Sequence, residues 1–465
     1  MPRGRLRRDS RAVDPGDWFV ACDRDPLRRA THCAEARARG AERIFAEGDT
    51  PDHRSHGVDV VADARWTWSR LHAHLHGLDL RAPLIGVTGT DGKTTVVHIA
   101  HHLLGHGAAR IGTLGWHDGS EERPDGLTTP PAEELHAFLG RLPDDCPGVA
   151  MELSSHALDQ RRPAALSFAG LVWTGIGRDH LDYHGSEEDY LAAKLAALRL
   201  LQPEALVVLR AEDPRVHVVE HAALSMGARV LRLGFTTGTV RLQQQEDRSW
   251  RLQSPYVDAV LPVSMPGAYN AWNAAAAALV VQVAGVGLDT ALVRLATAPG
   301  VPGRMQRVAE RPLVYIDYAH TPAALDHSLR ALRADHPDRL LICVFGAGGD
   351  RDRGKRAPMG RCVARLADLA VVTNDNPRSE DPAAIVADIL VDQQVTDDPR
   401  SWDGGCPFLR AYDRGRAIAL ALERAGADGV VLVAGKGHEQ VQEIAGERRP
   451  WDDAQAVRDR LGGRP

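Results

Sequence analysis

No CxxC pair occurs in this chain. Its six cysteines, Cys22, Cys33, Cys146, Cys343, Cys362 and Cys406, are scattered, a pattern that suggests neither a zinc site nor a disulfide framework and fits a reducing, cytoplasmic setting. A strong positive balance is also missing. The net charge is −6, and recognition of nucleic-acid phosphates needs clustered Lys and Arg, so no nucleic-acid partner is expected. The one basic run, Arg3, Arg5, Arg7, Arg8 and Arg11, contains Asp9 and leads into no apolar segment, so it reads as a solvated tail or loop and not as a targeting signal. Long hydrophobic runs are scarce. Only residues 271–288 approach the length of a membrane span, and Asn273, Gln282 and a high alanine content make them a packed internal helix instead. No internal repeat and no low-complexity tract is found.

What is present is a globular composition, 44% hydrophobic and 25% charged, in a chain too long for one core, since single cores stop growing at about 250–300 residues. Three domains are expected: 1–80, 81–301 and 302–465. The first shows a strand-like 17–21 and helical patterns at 31–40 and 66–75. At 84–87 a short apolar run ends in glycines, and helix-spaced Val97, Ile99, Ala100, Leu103 and Leu104 follow. The Pro and Gly cluster at 298–303 reads as a linker. Beyond it, apolar runs at 313–316, 340–345, 369–372 and 430–434 alternate with helical stretches at 322–333, 355–366, 382–391 and 414–425. That alternation predicts a parallel, doubly wound α/β sheet whose ligands bind at the carboxyl ends of the strands. The polar segments 317–321, 346–353, 373–380 and 435–439 fall at those ends.

The segment Gly86-Val87-Thr88-Gly89-Thr90-Asp91-Gly92-Lys93-Thr94-Thr95 joins a strand to a helix. Its glycines let backbone N–H groups approach phosphate oxygens, Lys93 suits the β- and γ-phosphates, and Thr94 offers a hydroxyl to Mg²⁺. The first glycine sits one residue further out than in the strict Walker pattern. ATP binding is the reading, and a bare glycine turn the alternative.

The wording Thr-Gly-Thr-Asp-Gly-Lys-Thr-Thr resembles the Mur ligase family. Matching segments follow in order: residues 9–16, Gly112-Thr113-Leu114-Gly115, Thr128-Thr129-Pro130, Glu152 to Leu158, Arg178 to Gly185, Asn270 and Asn273, Pro302-Gly303-Arg304-Met305, Asp317 to Pro322, Gly348 to Asp352, Asp375-Asn376-Pro377-Arg378, and Gly435-Lys436-Gly437-His438-Glu439. They cover nearly the whole chain from residue 9 onward. The resemblance implies three α/β domains: a small N-terminal substrate domain, a central P-loop ATPase-like domain and a C-terminal Rossmann-like domain. It also implies an ATP-dependent carboxylate–amine ligase that forms an acyl phosphate and then an amide.

By the same resemblance, Gly89, Thr90, Asp91, Gly92, Lys93, Thr94 and Thr95 hold ATP together with Asn270, Asn273, Arg304, Asp317 and His320. Lys93, Glu152, His180 and Lys194 are the catalytic set, and Thr94, Glu152, His180 and Lys194 the Mg²⁺ ligands, with Lys194 carrying a CO₂-derived carbamate. Read alone, Glu152 suits a core ion pair as well, His180 a structural histidine, Lys194 a solvated helix face, and Asn270 and Asn273 ordinary helix caps. The resemblance is closest to the branch that extends a UDP-linked muramoyl dipeptide. It implies Ser10, Thr128, Thr129, Ser154, Gln160 and Arg162 for that acid substrate, and Arg351, Asp375, Asn376, Arg378, Gly435 and Glu439 for the amine.

An arginine at position 378 implies meso-diaminopimelate, because a guanidinium pairs bidentately with its second carboxylate, and Glu439 suits the distal ammonium. Expected partners are these small molecules, with no nucleic acid, no membrane and a monomeric, cytoplasmic protein. The chain departs from the family pattern at 22–32, where a Gly-containing loop is usual, and at Gly175, where asparagine is common. Arg24, Arg28 and Arg29 then suit either a pyrophosphate or a solvated surface. Those departures leave open a specialised ligase with another acid. A folylpolyglutamate synthase gives the leading domain and Asp375–Arg378 no purpose, and the intact Lys93, Glu152, His180 and Lys194 argue against a non-catalytic scaffold.

Overall fold

Strand Leu84–Thr88 is buried along its whole length, and it runs parallel to Phe168–Trp173 on one side and Val149–Glu152 on the other. Apolar residues on both faces suit a strand covered by helices on each side. The computed structural model describes residues 4–48, 57–123, 127–177, 179–393, 395–396 and 405–462; Arg3 and Arg178 lie outside them. The chain divides into two compact units, Met1–Val260 with Asn273–Leu295, and Leu261–Trp272 with Ala296–Pro465.

The first unit holds two sheets. Strands Leu6–Arg7, Trp18–Ala21, Arg43–Glu47 and Asp59–Val61 form a parallel sheet in that order. Phe19, Ala21 and Ile44 pack toward helix Pro26–Ala38 with Cys33 and Ala36, while Val20 and Phe45 meet Ala64 and Trp68 of helix Ala64–Leu75. The first of these helices starts five residues before the expected position 31. Asp25 accepts from the Leu27 and Arg28 amides and Pro26 takes the first turn, a cap and proline pairing that specifies a helix start. Seven of the eleven residues of the divergent segment 22–32 are therefore helix.

The larger sheet has eleven strands, with Leu84–Thr88 inside it and three neighbouring parallel strands ending together at Thr88, Glu152 and Trp173. Helix Ala268–Val280 follows the alanine-rich expectation: Ala271 to Val281 are all buried. Among the described residues no helix is long and apolar enough to cross a membrane.

In the second unit six strands run in the order Gln306–Glu310, Leu313–Asp317, Val430–Ala434, Leu341–Phe345, Leu369–Val372 and Phe408–Arg410, parallel except for the first pair. Helices lie on both faces, giving the two cores around Leu325, Met359 and Ile385 and around Ile418, Ala421 and Val457. The mixed α/β, doubly wound expectation is met.

Helices Ala64–Leu75 and Ala132–Leu139 bury a histidine pair. His72 packs edge-on to Trp68 at 4.4 Å. The Ser69 hydroxyl donates to the Arg162 carbonyl at 2.9 Å, so at its other contact, 2.9 Å away, His136 Nε2 must be the donor. Burial pushes both imidazoles down to about 4. A lowered histidine pKa means that the unfolded chain takes up protons below about 6.5 that the folded chain refuses, so stability falls with pH from there to about pH 4. Between pH 6.5 and 4 the urea midpoint should fall less steeply in a His72→Gln, His136→Gln protein than in the wild type; equal slopes would disprove the assignment.

Candidate active site

The phosphate loop follows directly from strand Leu84–Thr88 and opens helix Lys93–Leu104. Gly89 has φ of +141° and a Cβ there would lie 2.0 Å from Thr174 Oγ1; Gly92 has φ of +85° and a Cβ there would lie 2.7 Å from Asn273 Oδ1. Only glycine satisfies both backbone and space at these two points. The helix start has no side-chain cap, so its amides are directed at the loop, a ready anion position. Lys93 Nζ donates to the carbonyls of Gly89 at 3.0 Å and Thr90 at 2.7 Å. The next strand supports the loop from the side: the Thr174 hydroxyl donates to Asp91 O at 2.5 Å, and the Thr90 amide to Gly175 O at 2.9 Å. Gly175, the departure from the family pattern, has φ of +113°.

Glu152 ends the neighbouring strand and is 1% exposed. Its carboxylate accepts from the Thr94 hydroxyl at 3.2 Å, the Thr113 amide at 2.8 Å and the Thr113 hydroxyl at 3.2 Å. Among the described residues it has no Lys or Arg partner. A Cβ at Gly112 would lie 2.5 Å from Glu152 Oε1, so the carboxylate lies hard against that backbone. Lys194, 1% exposed, donates to Gly89 O at 2.6 Å and sits 4.7 Å over the Tyr190 ring. Burial and the Lys93 ammonium push its pKa well below the ordinary lysine value. His180 has left-handed backbone, φ 53°. Its Nε2 lies 3.3 Å from Asp179 Oδ2, and burial outweighs that carboxylate and lowers its pKa, with Lys93 and Lys194 acting in the same direction.

The loop, Lys93, Thr94, Glu152, His180 and Lys194 are thus brought together. The set fits Mg²⁺: a buried carboxylate held by neutral donors, a hydroxyl and a neutral imidazole leave room for substrate phosphates, which that ion prefers to an all-protein cage.

The residues expected to meet the acid substrate join this cluster from the far side of Glu152. Thr128 Oγ1 lies 3.0 Å from Thr113 Oγ1, and the Thr129 hydroxyl donates to Glu152 O at 2.7 Å. Arg162 donates to Thr129 O at 2.6 Å and to Gln160 Oε1 at 2.8 Å. Ser154 caps its short helix by accepting from the Ala157 amide. Ser10 stands apart from them: it is buried and donates to Glu35 at 2.6 Å. Arg24 is paired with Asp159 at 2.5 Å, and Arg29 donates to the carbonyls of Asp23 and Arg24.

A second cluster occupies the strand ends of the other unit. Asp317 is buried and accepts from the Met305 and Ala319 amides and the Ser328 hydroxyl; burial pushes its pKa up. Arg304 lies over the Tyr318 ring at 4.4 Å, and His320 Nδ1 lies 2.8 Å from Tyr318 O. Asn270 donates to Pro266 O at 2.8 Å, a bond local to its helix start. Arg378, with φ of 52°, donates to Gly349 O at 2.6 Å, and a Cβ at Gly348 would lie 3.1 Å from Arg378 Nη1 and 3.7 Å from Arg351 Cγ. Asn376 Nδ2 donates to Glu439 at 2.9 Å. Asp375 Oδ2 is buried without a hydrogen-bond partner, 2.3 Å from where a Gly435 Cβ would stand.

Four contributors were not expected in these roles. Thr113, inside the Gly112–Gly115 motif, supplies two of the donors to Glu152. Lys436, with its side chain wholly buried, stands between two glycines after a buried strand, a signal that was available. Arg414 and Asp453 form a fully buried bidentate pair at 2.7 Å, and Arg414 also donates to Ala434 O at 2.9 Å. Nothing local in the sequence connects those two.

The model of the Mur ligase middle domain matches residues 87–281, and that of the Mur ligase glutamate ligase domain matches 303–437. A UDP-N-acetylmuramoyl-L-alanyl-D-glutamate–2,6-diaminopimelate ligase of Alkalilimnicola ehrlichii is 41% identical, the match covering 99% of this chain and 95% of that protein. The ligase of the same name from Xanthomonas campestris pv. campestris is 40% identical over 96% of this chain and 91% of its own. A solved structure of a ligase of this name superposes with a TM-score of 0.69 at 30% identity, covering 98% of this chain and 94% of that one. The chain belongs to the Mur ligase family.

Proposed function

We propose that this ligase adds meso-diaminopimelate to UDP-MurNAc-L-Ala-D-Glu in peptidoglycan precursor synthesis, as a cytoplasmic monomer using ATP and Mg²⁺. The observation that carries the reading is the Gly89–Thr94 loop, with the Thr94 hydroxyl on the buried Glu152 carboxylate and Lys194 buried against Gly89. The γ-phosphoryl group passes from ATP to the glutamate carboxylate, and ADP leaves. The neutral amine nitrogen then attacks the acyl carbon, gives up a proton to water, and the tetrahedral intermediate collapses by expelling phosphate. Lys93 and the helix amides hold the phosphate oxygens. Bound through Thr94, Glu152, His180 and Lys194, Mg²⁺ would offset charge on the transferring phosphoryl group. Asn273, beside Gly92, belongs to the nucleotide side; Asn270, Arg304, Asp317 and His320 are assigned to ATP by resemblance.

The environment of Lys194 supports a carbamate. A neutral amine is needed to attack CO₂: the N–C bond forms, one C–O π bond opens to an oxyanion, and a proton leaves the nitrogen for water. Burial beside Lys93 favours that neutral amine, and the product places an anion near the Lys93 ammonium.

With ¹⁸O in the acid's carboxyl group, ATP, Mg²⁺ and a panel of amino acids, mass analysis should find diaminopimelate in the amide product and ¹⁸O in the released phosphate. Label-free phosphate during productive coupling would end the acyl-phosphate mechanism, and product with another amine only would end the substrate assignment. Lys194→Ala should lower kcat by on the order of 10²-fold or more and weaken Mg²⁺ binding, with partial recovery in formate or acetate. Unimpaired turnover without those additives would remove the carbamate. Arg378→Ala should reduce the preference for diaminopimelate over lysine by roughly 10- to 100-fold, the loss of a charge-assisted pair, and an unchanged ratio of kcat/KM values would refute its role.

A further inference from the structure

Lys436 lies in the second unit with its side chain wholly buried, while the Glu439 carboxylate beside it stays one-third exposed. An ammonium has three donors and no acceptor, and all three are used here: Asn376 Oδ1 at 2.8 Å, Glu439 Oε2 at 3.2 Å and Val441 O at 2.8 Å. These acceptors belong to the loop around Asn376 and to the segment that runs from Glu439 into strand Val441–Ile444, and their arrangement fixes the orientation of Asn376. Its Oδ1 receives both Lys436 and the Glu443 amide at 2.9 Å, so its Nδ2 is the atom turned to Glu439 Oε2 at 2.9 Å. Glu439 Oε2 thereby takes two donors. Among the described residues no protein donor reaches Oε1, the edge of the carboxylate left for a ligand.

We propose that Lys436 is a positioning residue for the incoming amino acid: its buried ammonium locks Asn376 to Glu439 and presents one carboxylate edge to the ammonium of the substrate. It does not touch the substrate. It sets the direction of the two side chains that do, and its own charge is returned to the site through Glu439, so replacing it disturbs amine binding before it disturbs phosphoryl transfer. The inference rests on the assignment of Asn376 and Glu439 to the amine site.

The test compares Lys436→Met, Lys436→Gln and Lys436→Arg, with thermal unfolding to give the folded fraction, and steady-state kinetics on the amino acid that the wild type turns over best. A substrate other than diaminopimelate would sink the earlier assignment and leave this test intact. Lys436→Met is expected to raise KM for the amine about tenfold or more, the loss of a charge-assisted contact, while KM for ATP stays within about twofold. Lys436→Arg should recover part of the loss. In a Glu439→Gln background the Lys436→Met change should add little, because the lysine acts through that carboxylate. An unchanged amine KM, a parallel rise in the ATP and amine KM values, or activity lost only in step with the folded fraction overturns the proposal. So does failure of all three variants to fold, which would make Lys436 a strut and nothing more.

Discussion

A carboxylate that is almost wholly out of water needs either a counter-charge or a set of donors that makes a cation welcome, and Glu152 has the second. Its neighbours are the hydroxyls of Thr94 and Thr113 and one amide. Much of the first unit answers to that demand. Gly112 gives up its side chain to make room, Thr94 reaches across from the phosphate-loop helix, and the strand pairing brings Glu152 level with Val87, one residue before the loop begins to turn. Lys194 holds the same loop through Gly89 O with an amine whose pKa burial pushes well below the ordinary lysine value. These features gather the residues proposed to hold a cation and a phosphate at the ends of neighbouring parallel strands.

Backbone strain gathers around the same chemistry. Of the nine non-glycine residues with left-handed backbone among the described residues, Arg161, His180, Met305, Asp350 and Arg378 stand at or beside a candidate site residue. Such conformations are uncommon for residues with a Cβ and are kept only where surrounding contacts enforce them. At Arg378 the enforcing contacts are visible: its carbonyl accepts from the Ala445 amide and its amide donates to Glu443 O, so the guanidinium projects from a backbone held on both sides.

The parts of this structure that the sequence made legible are those whose information is contiguous. The phosphate loop reads as strand, glycines, lysine and helix because the physics of anion binding is local, and the buried strands of the second unit read as apolar runs because both their faces are covered. Strands such as Trp250–Ser254 and Val257–Leu261 leave no clear mark in the sequence because most of their residues are partly exposed and carry no strong apolar period. The first turn of helix Pro26–Ala38 is rich in arginine and hides the apolar period, and only the Asp25 and Pro26 cap marks its true start. The link from Thr113 to Glu152 depends on how two strands pair, and that from Lys436 to Asn376 on how two loops meet; spacing along the chain carries neither.

The Arg414–Asp453 pair has a consequence for the order in which the second unit becomes complete. Arg414 holds the carbonyls of Ala434 and, at 3.4 Å, Asn374, the residues just before Gly435 and Asp375. Its carboxylate partner lies on a segment that the ribosome delivers after every strand of the six-stranded sheet. Until Asp453 arrives, a nascent chain that has laid down the sheet would have to bury a guanidinium uncompensated, at several kcal/mol. The strand ends that lead into Asp375 and Gly435 are therefore braced only once helix Asp453–Arg460 exists.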